Sequence, residues 1–130
     1  MTKITPFLMF EGAAEAAMDF YVSLFPGGRI DEITRYGPEG PGKEGSVTRA
    51  IFTLGDQSVM CIDSPAQHAF TFTPSFSFFV DCETDEDHQR LIDALSQGGT
   101  FLMPPDNYGF SRRFAWLNDR FGVSWQLNLP

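Results

Sequence analysis

Histidine and cysteine are scarce in this chain, at two residues each, and nine basic residues face seventeen acidic ones. Each shortage closes off a class of function. Cys61 and Cys82 stand alone in apolar, strand-like contexts with no CxxC spacing, which argues against a zinc knuckle or a disulfide framework and for buried free thiols. A net charge of −8 repels phosphate backbones and anionic membrane surfaces, so nucleic acid is not an expected partner. No run is long and apolar enough to span a bilayer, and "MTKITPFLMF" lacks the apolar core and small-residue end of a signal peptide. A cytoplasmic protein without membrane contact is expected. No glycine-rich turn follows a parallel strand and opens a helix in the way a nucleotide-like cofactor requires, so no cofactor is expected either.

Aromatic residues, by contrast, are abundant. Fourteen Phe, two Trp and three Tyr in 130 residues predict a core or a pocket walled by rings, in a chain of single-domain size. Residues 4–10 read as a strand. In "EGAAEAAMDFYVSLFPGG" the apolar residues Ala14, Ala17, Met18, Tyr21, Leu24 and Phe25 recur at helical spacing until Pro26, Gly27 and Gly28 stop the helix. "RIDEITRY", "SVTRAIFTL" and "QSVMCID" read as strands. The tract 37–45, "GPEGPGKEG", lacks apolar anchors and is expected to be a mobile loop that could act as a lid. "SFSFFVD" opens a second series. Thr84 is a good N-cap, three acids follow it, and His88, Leu91, Ile92 and Leu95 form the apolar stripe before Gly98 and Gly99. "TFLMPPDNYGFSRRFAWLND" and "GVSWQLNL" supply the remaining strands.

The two series share a register. Gly27-Gly28 precede Gly98-Gly99 by 71 positions, and the same offset pairs Leu24 with Leu95 and Tyr21 with Ile92. This is an internal repeat of strand, helix and three strands, with unit one at about 1–64 and unit two at about 74–130. Neither half has enough apolar surface to be stable alone. The expected fold class is α+β: two paired βαβββ units forming curved mixed sheets around a concave cup, with the helices outside.

A paired βαβββ repeat resembles the vicinal oxygen chelate superfamily of glyoxalases, extradiol dioxygenases and bleomycin-resistance proteins. More narrowly, "ITPFLMFEGAAEAAMDFYVSLFP" and "DRFGVSWQLNL" look like its PhnB-like branch, described as demethylubiquinone methyltransferase-like. In metal-dependent members of the superfamily, His, Gln or Glu side chains on the first and last strand of each unit hold the ion. Those places fall near Thr5, Cys61, Ser75 and Gln126, where the carboxylate and imidazole ligands are missing. Neutral oxygens and one thiol are a poor set for a hard divalent ion, so no metal is expected. Asp63, two residues beyond Cys61, is the single charged alternative.

The resemblance and the pattern together imply a small organic ligand, bound by Thr5, Phe7, Met9, Cys61, Asp63, Ser75, Ser77, Phe114, Trp116 and Gln126, and a homodimer. Ser124, Gln126 and Asn128 share one face of the last strand, opposite Val123, Trp125, Leu127 and Leu129. His88 reads as structural and His68 as a loop residue. Of Arg112 and Arg113, alternation lets only one point inward. No catalytic residue is assigned. The rival readings are a metal-assisted enzyme of glyoxalase or dioxygenase type, needing Asp63 plus two further donors, and a methyltransferase, as the family description says.

Overall fold

In the computed structural model, which describes residues 2–130, each half of the chain folds as strand, helix and three strands. The first comprises β1 (Phe7–Phe10), α1 (Ala14–Leu24), β2 (Arg29–Arg35), β3 (Val47–Leu54) and β4 (Gln57–Asp63). The second comprises β5 (Phe78–Asp81), α2 (Asp85–Ser96), β6 (Thr100–Asp106), β7 (Arg113–Asn118) and β8 (Ser124–Leu129). They form two compact units, Met1–His68 and Ala69–Pro130. Each unit has its own mixed four-stranded sheet, ordered β1-β4-β3-β2 and β5-β8-β7-β6. In each, the first and last strands pair in parallel and the other neighbours are antiparallel.

The helices cover one face of each sheet for the reason their spacing gives. Ala14, Ala17, Met18, Tyr21 and Leu24 are the buried stripe of α1, which packs on β2, β3 and β4, with the Tyr21 and Phe52 rings 6.3 Å apart. His88, Leu91, Ile92 and Leu95 are the buried stripe of α2, which packs on β7 and β8. The 71-residue offset has a steric basis. Gly27 and Gly98 both adopt a positive φ, +75° and +72°, which disfavours any side chain. At Gly28 and Gly99 a Cβ would lie 2.2 Å from a backbone oxygen, of Val22 and of Asn118 respectively.

Two strands start later than the sequence suggests. β1 opens at Phe7, after Pro6, whose carbonyl accepts from the Met60 N–H at 2.9 Å. β5 opens at Phe78, because residues 73–76 form a turn closed by the Phe76 N–H on the Thr73 carbonyl at 3.2 Å. Thr5, Ser75 and Ser77 therefore precede their strands instead of lying in them. The glycine tract has an anchor after all in Tyr36, just ahead of it. The Tyr36 N–H donates to Ser46 and its carbonyl accepts from Gly45, while a Cβ on Gly42 would lie 2.6 Å from its ring. The folded tract walls a cleft of about 560 Å³ with Glu11 and Ser64.

Candidate functional site

The helix-free face of the unit-two sheet carries the polar row seen in the sequence. Strand register places Phe79, Gln126, Trp116 and Met103 side by side across β5, β8, β7 and β6. Beside them run a row of Asp81, Asn128, Phe114 and Asp106, and another of Ser124, Asn118 and Thr100. The Gln126 amide N–H donates to the Ser77 hydroxyl at 2.9 Å, and the Trp116 indole donates to Ser124 at 2.8 Å. Asn128 donates to Asp81 at 2.9 Å. Aromatic rings adjoin this network: the Phe79 and Phe110 centroids stand 6.3 and 4.9 Å from Phe114.

Of the residues expected on this face, Phe114, Trp116 and Gln126 lie there, and Ser77 is joined to it by its hydrogen bond. Ser75 is not, since its hydroxyl pairs with Thr73 at 2.8 Å. Asn128 lies there as alternation expects, while Phe79 and Tyr108, which also adjoin the face, are not among the expected ligand residues. Alternation in "SFSFFVD" does put Phe79 with Ser77, but nothing local says which row faces away from a helix.

Unit one requires a larger correction. Phe7 pairs with Met60 and Met9 with Ile62, so these four share the helix-free face. Cys61 and Asp63 point the opposite way, beneath α1, with Cys61 opposite Leu8 and Ala50. The expected grouping of Phe7, Met9, Cys61 and Asp63 thus splits across two faces, because a one-residue shift reverses every side chain of a strand. On β4 this face carries Met60 and Ile62, with no polar side chain at either position. Thr5 lies before β1.

Asp63 serves the backbone. It is 3% exposed, and its Oδ1 accepts from the N–H groups of Gly12 and Ala14 at 2.8 and 3.0 Å while Oδ2 accepts from Val47 at 2.9 Å. Ala13, the N-cap of α1, offers no side-chain cap, so Asp63 fills that role from 49 or more residues away. Asp119 does the same for the closing hairpin. Its Oδ1 accepts from Phe121 and Val123 at 2.8 and 3.1 Å, and Oδ2 from the Trp125 indole at 2.9 Å. The "DxFGxxW" signature is thereby a fold-closing device.

Neither histidine joins the polar face. His88 is fully buried and its Nε2–H donates to the Leu127 carbonyl at 2.8 Å, tying α2 to β8. His68 meets Ser64 at 2.8 Å. Arg113 reaches Gln89 of α2 at 2.6 Å, on the helix side, and Arg112 donates to the Pro130 carbonyl at 2.6 Å.

The donor set does not fit a metal of the kind the superfamily uses. Burial, and second the charge of Asp63, push the Cys61 thiol up to about 12, as befits a buried free thiol. Asp63 already accepts from three N–H groups, and among the described residues no three His, Cys, Asp or Glu side chains converge on a possible ion site. Helix N-termini do not fit a nucleotide-like cofactor either, since Asp63 occupies that of α1 and Thr84 caps α2 through Asp87 N–H at 3.1 Å.

The thiols make alkaline stability testable. Cys82 is pushed up to about 11, by burial first and then by Asp87, with Arg90 opposing. A folded-state pKa above the unfolded value of 9.0 means the folded protein holds the proton more tightly. The associated stability is complete below pH 9 and is lost as pH rises through 11 to 12. Urea unfolding at pH 8 and pH 10.5 is expected to show a larger loss for the native sequence than for Cys61→Ala/Cys82→Ala. Equal losses would count against this account.

No helix among the described residues is long and apolar enough to cross a membrane. The family described as 3-demethylubiquinone-9 3-methyltransferase matches residues 2–128. A solved structure of a putative 3-demethylubiquinone-9 3-methyltransferase, PhnB protein, from Bacillus cereus is 56% identical, with 99% of this chain and 100% of that one covered and a TM-score of 0.97. Protein PA1353 from Pseudomonas aeruginosa is 26% identical over 99% of this chain and 98% of its own, at a TM-score of 0.85. A glyoxylase/bleomycin resistance protein/dioxygenase domain from Frankia shares the fold at 12% identity and a TM-score of 0.67, covering 99% and 92%. No curated protein matches. With these matches the chain belongs to the 3-demethylubiquinone-9 3-methyltransferase, PhnB-like family, and it shares the fold of its repeated βαβββ units with the Frankia glyoxylase/bleomycin resistance protein/dioxygenase domain.

Proposed function

We propose that this protein binds a small organic molecule on the helix-free face of the unit-two sheet, as a cytoplasmic homodimer without a resident metal. The observation that carries the reading is the Gln126 amide, held by Ser77 at 2.9 Å between the neighbours Phe79 and Trp116. An oriented neutral amide beside apolar rings can align a ligand carbonyl or hydroxyl, and it lacks the charge that anchors an ion. Phe7 and Met9 supply an apolar counterpart in unit one. Our reading leaves Cys61 and Asp63 out of this ligand set, since strand register sets them on the opposite face from Phe7 and Met9.

Binding is the function that asks least of these residues. A metal-assisted reaction would need donors that Cys61 and Asp63 do not provide. Methyl transfer is favoured by the description of the Bacillus cereus relative as a putative methyltransferase. Methyl transfer would bring a donor such as S-adenosylmethionine to a protein whose helix N-termini are already capped, and binding of labelled S-adenosylmethionine would decide for it.

A thermal-shift screen of small metabolites identifies ligands, and Gln126→Ala is expected to weaken their binding by about 1 kcal/mol, the worth of one hydrogen bond, with an unchanged fold. Unaltered affinity would remove Gln126 from the site. Elemental analysis of purified protein is expected to find no stoichiometric transition metal. About one zinc, nickel, manganese or iron per chain would move the metal-assisted reading to first place. Light scattering at micromolar concentration should give twice the 14.5 kDa chain mass, and a monomer would contradict the dimer.

A further inference from the structure

The cleft in unit one holds a pair of side chains that the unit-two face does not use. Ser64 lines it together with Gly42, Lys43 and Glu44 of the folded tract, and its volume of about 560 Å³ is that of a small-molecule site. The Ser64 hydroxyl meets Nε2 of His68 at 2.8 Å and accepts from the Ala66 N–H at 3.2 Å. With a backbone donor on one lone pair, the hydroxyl keeps its own proton to give, and Nε2 is the acceptor within reach. This is the contact that general-base activation of a serine requires. Both side chains are half-buried, so the pair is neither sealed in the core nor open on all sides to water.

The pair also stands on fixed backbone. Ser64 directly follows β4, its N–H donates to the Phe10 carbonyl at 2.7 Å, and Pro65 disfavours a helical conformation at the serine. Asp63, one residue earlier, is pinned by its three N–H donors, and its carboxylate is committed to them instead of to His68. The glycine tract is tied to the same strand end. The Tyr36 hydroxyl donates to the Asp63 carbonyl at 3.3 Å, and Gly42 lies against the Tyr36 ring. A nucleophile held at the end of a strand, in a cleft whose wall is anchored to that strand, needs little rearrangement to react.

We propose that Ser64 is a nucleophile for acyl transfer, with His68 as its general base and small uncharged carboxylic esters as the substrate class. Ser64 Oγ bonds to the ester carbonyl carbon as Nε2 takes its proton; the bond to the alcohol oxygen then breaks, and the proton passes to that departing oxygen. Water completes the cycle. It attacks the acyl-serine, gives a proton through Nε2 back to Oγ, and releases the carboxylic acid. Charge narrows the class: Glu11 and Glu44 stand against one Lys43 around the cleft, and the net charge of −8 disfavours esters that carry a carboxylate. The site lies wholly within unit one, so it stands or falls independently of ligand binding on the unit-two face.

p-Nitrophenyl acetate is the probe. Rapid mixing with the full chain is expected to release about one p-nitrophenolate per chain in a burst, and tandem mass spectrometry after an acid quench should place the acetyl group on Ser64. Ser64→Ala should abolish the burst, and His68→Ala should slow it at least about a hundredfold, the lower end of what a general base contributes. Ser58→Ala, toward the other end of β4, should leave it unchanged. The adduct is mapped on the native sequence, so misfolding of a variant cannot imitate it. No acetyl group on Ser64, its appearance on Lys3 or Lys43 instead, or a full burst from His68→Ala would overturn the proposal and leave the Ser64–His68 hydrogen bond as a clasp of the loop after β4.

Discussion

Asp63→Ala is expected to lower the unfolding free energy by about 4 kcal/mol, because it strands three backbone N–H groups, each costing about 1–3 kcal/mol when buried and unpaired. Those groups belong to Gly12, Ala14 and Val47, so one substitution loosens the start of α1 and the start of β3 together. Water entering the gap recovers part of the loss, which keeps the figure below the sum. Asp63→Asn retains one acceptor oxygen but turns an N–H toward backbone donors, and about half the loss is expected. Urea denaturation of both variants measures this. A loss below 1 kcal/mol for Asp63→Ala would mean the carboxylate is not structural and would return it to the list of candidate ligands.

Trp125→Ala is expected to cost about 4 kcal/mol, in the range for removing a large buried ring. The ring is 1% exposed, lies 4.8 Å from the Phe78 ring, and donates to the buried Asp119 carboxylate. Trp125→Phe isolates the second contribution. It keeps most of the apolar area and leaves Asp119 Oδ2 without its indole donor, for an expected cost of about 1–2 kcal/mol. If the two variants lose the same stability, the hydrogen bond to Asp119 outweighs the burial of the ring, and the packing account of this hairpin is wrong.

Elements governed by neighbours in sequence were legible before any coordinates. The stripe from Ala14 to Leu24, the Thr84 cap and the paired glycine stops depend on contacts within one turn of helix or on a single φ, and each stands where the spacing places it. Alternation likewise separated Gln126 and Asn128 from Trp125 and Leu127.

Face assignment in unit one was not legible, because both rows of "QSVMCID" contain apolar residues and hydrophobicity cannot say which row meets α1. The parallel register of β1 on β4 decides it, and that register is a long-range property. By itself, then, the sequence determined the repeat, the helices and the polar row on the last strand, since these follow from local periodicity. The tertiary structure alone decided that Asp63 caps a helix 49 residues before it, that Cys61 lies beneath α1, and that Tyr108, Phe110 and Phe114 pack in one aromatic cluster. Each of these is a junction between segments distant in the chain or brought together by a loop's fold, and local patterns carry no information about such meetings.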